Sequence, residues 1–254
     1  MTAAAVRSPA LAIPSPRRPA EPTGTTAAPA RPAGRAATYQ RVLHQLVRRE
    51  LTTLADVATW APAGECARTG TLTCHAGLLA QVLLHHHAVE REAVWPALLR
   101  AAPDAERPAV AAAVAGWTPA GARIDAALRD LDTAARQWAV CGSSRARDGF
   151  ALACRRLADD VTAQTAEEEA TLLPLLDRYL TDADWTAIVR TARCGLSGRQ
   201  RLMVLGLALE DACAGDRARL LGGVPRATRL AWRLHGRSRY RTAVVRLRGA
   251  PPAA

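Results

Sequence analysis

The stretch from Leu83 to Leu99 restricts what this chain can fold into more than any other: Leu-Leu-His-His-His-Ala-Val-Glu-Arg-Glu-Ala-Val-Trp-Pro-Ala-Leu-Leu. Three of the six histidines stand in a row, and two glutamates follow closely. On an α-helix, His86 and Glu90 are four residues apart and share one face. An imidazole and a carboxylate stacked this way can bind one metal ion, and both are ligands for iron, manganese or zinc. The plainer reading of the same residues is a solvated, charged helix face. The other helices decide between the two.

Composition favours helices throughout. Half the 254 residues are apolar (49%), yet only 4% are aromatic, so Ala and Leu carry the apolar count and suit helix packing better than sheets. No apolar run reaches the length of a membrane-spanning helix. The net charge of +11 sits at the ends: residues 217–254 hold ten Arg and no acid, whereas residues 37–216 are slightly acidic. The chain has no Lys, so the Arg excess reads as compositional, and nucleic acid is not expected as a partner. An anionic membrane surface is a partner the basic C-terminal tail suits. Cys66, Cys74, Cys141, Cys154, Cys194 and Cys213 form no C-x-x-C pair, which points to buried free thiols and a cytoplasmic location.

Residues 1–37, rich in Ala, Pro, Thr and Arg and broken by seven prolines, read as a disordered tail. A first amphipathic helix starts near Ala36, carries His44, and ends at Trp60-Ala-Pro-Ala-Gly64. A second runs from about Thr71 to Leu99, with Pro96 kinking or ending it. A third covers about 105–139, capped by Asp104 and interrupted near Gly116, Pro119 and Gly121. A fourth runs from about Arg145 to Leu180, with Leu152, Leu157, Val161, Ala166 and Leu172 on its buried side. It holds Glu167-Glu168-Glu169 and then Leu172-Leu-Pro-Leu-Leu176, the same order of acid, apolar residues, Pro and Leu that ends the second. Four helices with short loops read as an all-α, up-down-up-down four-helix bundle over residues 38–180. Extra C-terminal helices fill 181–254, and the basic segment 226–249 can lie on the bundle, on a membrane, or free.

These residues resemble the hemerythrin-like (HHE cation-binding) family. His86-His87-Ala-Val-Glu90 with Trp95-Pro-Ala-Leu98 looks like its central motif, Tyr39 to Leu51 with His44 like its first helix, and Gln164 to Glu169 like its fourth. The resemblance implies a four-helix bundle holding non-heme iron, one or two ions, with His44, His86, Glu90 and Glu168 as metal ligands and dioxygen as a further partner. It also implies histidines that are absent here: Gly121 stands at the third-helix position and Gln164, a weak donor at best, at the fourth. Asp125, His85 and His87 are candidates to fill in. His75 lies about 16 Å along the axis from His86, too far to share an ion, and packing is its expected role.

Three functional hypotheses arise, and two of them are expectations. One is an iron-binding protein with an incomplete ligand set, sensing or storing iron or oxygen. Another is a structural or interaction bundle whose site has decayed to a metal-free state. An enzyme is not expected, since the sequence has no nucleophile–base arrangement and no cofactor loop.

Overall fold

The computed structural model describes residues 34–62, 64–192 and 195–249. The tail expected at the N-terminus lies outside these up to residue 33. Among the described residues the chain is all-α, with no strand. Its long helices are α1 (Arg35–Thr59), α2 (Cys66–Val89), α4 (Arg107–Cys141) and α5 (Ser144–Thr171). Each packs on two neighbours: α1 and α4 both lie against α2 and α5. The core between them is filled by Leu46, Leu51, Leu79, Leu128, Trp138, Phe150 and Leu157.

The two prolines near helix ends act in related ways. At Glu90–Val94 the chain makes a π turn, and only then enters α3 (Trp95–Ala101). The Trp95 N–H reaches the Glu90 carbonyl five residues back, just before Pro96, which has no N–H to give. The inserted residue rotates the buried face, so Val94, Trp95 and Leu98 point inward where helical periodicity puts Ala93 and Ala97. On the fourth side, α5 breaks at Leu172, and α6 (Leu173–Tyr179) begins with Pro174 in its first turn.

Several sequence expectations change. The third helix is one continuous element through Pro119, and Asp104 pairs with Arg107 instead of capping it. In α5, Leu152 and Ala166 face solvent, while Phe150, Cys154, Leu157, Val161 and Glu168 form the buried stripe. Of the described cysteines only Cys154 is buried, its thiol pushed up to about 12 by desolvation; Cys66, Cys74, Cys141 and Cys213 are exposed. Ser143 caps α5, and Gly142 ends α4 in the left-handed conformation that favours glycine.

Residues beyond 180 fold into α7 (Asp182–Thr191), α8 (Gly198–Glu210), α9 (Ala214–Gly223), α10 (Arg226–Ala231), a π turn (Trp232–Gly236) and α11 (Arg237–Arg248). Capping boxes at Thr181 and Ser197 start α7 and α8. Of the three fates open to segment 226–249, the structure shows the first: Trp232, Tyr240, Val244 and Leu247 join the bundle's own core. Gly206 on α8 lets the Tyr240 ring approach closely, because a Cβ there would come within 2.3 Å of a ring carbon. No described helix is long and apolar enough to cross a membrane.

A buried polar cluster fastens α11. Arg248 pairs with Glu50 and, at 2.6 Å, with Glu210. His75 donates to Glu50 over 2.9 Å, so this histidine has a hydrogen-bonding role that spacing alone did not suggest. Burial by itself would raise the Glu50 carboxyl, but His75, Arg248 and Arg49 outweigh it and hold it down at about 2. A depressed carboxyl pKa contributes stability above its unfolded value near 4.5 that is lost as pH falls toward 2. Acid titration followed by hydrogen exchange should therefore show α11 opening between about pH 4.5 and 2, with Glu50→Gln removing on the order of 3 kcal/mol of stability at neutral pH. Substituting Gly206 by Ala should loosen the same helix by displacing Tyr240, whose hydroxyl donates to Glu210, and the same hydrogen-exchange measurement should show it.

Candidate metal centre

Four elements bring one polar residue each to a common point in an otherwise apolar bundle. His44 comes from α1, His86 from the last turn of α2, Glu90 from the start of the π turn, and Glu168 from α5. All four are buried, Glu90 and His44 completely. Each offers one ligand atom, and these atoms lie within 4.8 Å of one another. The π turn begins at Glu90 itself, so the irregularity that accommodates Pro96 adjoins the cluster. Such turns often occur at functional sites.

Groups around the cluster hold its members in ligand-ready orientations. The His44 Nδ1–H donates to Glu169 over 3.1 Å, and Arg48 pairs with the same carboxylate. That leaves the Nε2 lone pair of His44 free, and Nε2 has no hydrogen-bond partner. Gln40 donates to Glu90 Oε1 at 2.8 Å, and the Trp117 indole N–H donates to Glu168 Oε2 at 3.2 Å. The second oxygen of each carboxylate, Glu90 Oε2 and Glu168 Oε1, is buried without a partner. Native interiors rarely tolerate unpartnered polar atoms, and here three of them belong to one cluster. A cation bound among them would satisfy all three.

The electrostatics agree. Burial, together with the neighbouring Glu168, pushes the Glu90 carboxyl well above the usual range. Two carboxylates this close in a dry setting resist ionising together unless a positive charge lies between them. Burial and the adjacent histidines hold His86 well below its ordinary value, so its imidazole is neutral, the form that binds metals. His86 Nε2 lies 3.1 Å from Glu90 Oε1.

The structure therefore brings together all four residues expected as ligands. Gln164 is buried one turn before Glu168 on the same helix, and its Nε2 has no partner. The expected substitutes stand apart. His87 and Asp125 pair with each other at 2.7 Å, and Arg91 reaches the other Asp125 oxygen. His85 is half-buried. Gly121 offers no ligand, but its bareness has a use: the Trp117 ring lies over it, about where a side chain at 121 would project. Sequence reading missed Gln40, Trp117 and Glu169. The i, i+4 spacing of Trp117 and Gly121 was the one visible hint of the indole's position. Gly121→His should clash with Trp117 and lower the melting temperature by several degrees, whereas Trp117→Phe should keep the fold but deprive Glu168 of the indole donor; thermal melts of the two variants separate these outcomes.

A family model for the hemerythrin HHE cation binding domain matches residues 37–176, which takes in every cluster residue and stops inside α6. No curated protein and no solved structure matches the chain.

Proposed function

The chain belongs to the hemerythrin HHE cation binding family, and from that premise we propose that it binds one non-heme iron ion through His44, His86, Glu90 and Glu168. The observation that carries this reading is the set of three buried, unpartnered ligand atoms, one each on His44, Glu90 and Glu168. Two imidazoles and two carboxylates make a donor set suited to iron, though also to zinc or manganese. Four protein ligands fit one ion better than two, since a second would lack imidazoles at positions 121 and 164. Iron held there would supply a redox-active centre able to interact with dioxygen, and we read its role as sensing or storing iron or oxygen. The residues around it do the positioning: Glu169 fixes the His44 tautomer, while Gln40 and Trp117 aim the two carboxylates. Gln164 is a weak additional donor within the same turn of α5.

The up-down-up-down order of the bundle is part of this reading and rests on the short connections between consecutive long helices. So is the assignment to a binding protein instead of an enzyme. A metal-free structural module is the alternative, favoured by the 3.1 Å contact through which His86 can close on Glu90 without an ion. Contact with an anionic membrane would fall to the exposed arginines of α11, since its apolar side packs on the bundle; binding to anionic vesicles that weakens with salt checks it.

Metal analysis of protein purified after iron loading should give about one iron per chain, the number of ions one four-ligand cluster holds. A value near zero establishes the metal-free module. Glu169→Ala, outside the ligand set, should weaken iron binding about 10–100-fold by freeing His44, as removal of such supporting partners does. Gln164→His should strengthen it.

A further inference from the structure

Beside the cluster lies a cavity of about 250 Å³ that metal binding does not explain. His86, Glu90 and Gln40 form its buried end. Its walls are apolar, with Leu43, Val82 and Val94 from the bundle facing Trp185, Ile188 and Val204 from α7 and α8. The family match ends at residue 176, so α7, α8 and the loop joining them lie outside the matched region. Had these helices only sealed the bundle, close packing would have left few voids larger than a water molecule. They leave instead a space larger than the cavity of about 150 Å³ that holds benzene in a well-studied core.

The charges lining this space are unevenly placed. Glu90 is at the buried end, where Gln40 holds it. Arg201 is exposed at the other, and among the described residues its guanidinium has no ion-pair or hydrogen-bond partner. No other acid or arginine lines the cavity. An occupant with an apolar body is therefore matched along the walls, and a negative group is matched at the mouth by Arg201.

We propose that this cavity binds a small organic molecule with an apolar body and a single carboxylate, the body lying against Trp185, Ile188 and Val204 and the carboxylate at Arg201. The C-terminal extension thereby supplies half of a ligand site that ends at the His/Glu cluster. That the bound molecule faces a metal rests on the reading above; that it binds does not.

Calorimetric titration of the full chain with octanoate, and with 1-octanol as its neutral counterpart, tests this, both without added metal and after iron loading. Saturable octanoate binding is expected in both preparations. Arg201→Gln, on the surface, should weaken octanoate about tenfold through loss of a charge-assisted hydrogen bond and leave octanol unchanged. Val204→Trp should fill the cavity and abolish both. Absence of saturable octanoate binding to the unsubstituted chain overturns the proposal, as does an affinity that Arg201→Gln does not change. Octanoate binding by protein that takes up no iron sinks the metal reading alone; iron uptake without octanoate binding sinks this one alone.

Discussion

Two carboxylates buried together, Glu90 and Glu168, place the strongest demand on this molecule. Burial in the apolar bundle and the neighbouring Glu168 both disfavour a charge on Glu90. The surrounding structure answers with neutral donors. Gln40 and Trp117 take one oxygen apiece, two histidines come close, and the remaining lone pairs converge. The arrangement makes physical sense if a cation completes it, and the supporting residues are placed to orient ligands before any ion arrives.

The second buried polar group works by a different principle. Glu50 and Glu210 are paired within the protein by Arg248 and Arg49, and His75 donates a hydrogen bond to Glu50. Their charges tie the C-terminal helix to α1 and α2, and the Glu50 carboxyl accordingly sits far below the usual range instead of above it. The contrast is instructive, because both clusters contain a buried histidine beside a buried glutamate. What separates them is the arginine: Arg248 closes the structural cluster, while beside the other Arg48 is paired with Glu169 and Arg91 with Asp125.

Docking of the extension has a further consequence. Tyr240, Val244 and Leu247 bury their apolar surface in the bundle, which leaves Arg233, Arg237, Arg239, Arg241 and Arg246 outward while Arg248 turns in to Glu50 and Glu210. Upstream, α7 and α8 cover the side of the bundle where His86 and Glu90 come nearest to the surface, without filling the space in between. One extension thus both stabilises the bundle and shapes the approach to its polar centre.

The helical class, the four long helices and the four clustered residues were all legible in the amino-acid order. Periodicity of 3.6 assigns faces, and His86 and Glu90, four apart, share one whatever surrounds them. His44 and Glu168 could be matched to them through the order of motifs along the chain. The sequence could not show what depends on distances between helices. Trp117 reaches Glu168 across 51 positions, Gln40 reaches Glu90 across 50, and His75 finds Glu50 across 25. None of those pairs has a spacing that periodicity can read. The π turn before Pro96 also escaped, since one extra residue in a turn leaves no mark on composition yet rotates every side chain after it. Local order decided which residues are helical and which face them; only packing decided which polar groups pair, which are left over, and where a cavity remains beside them.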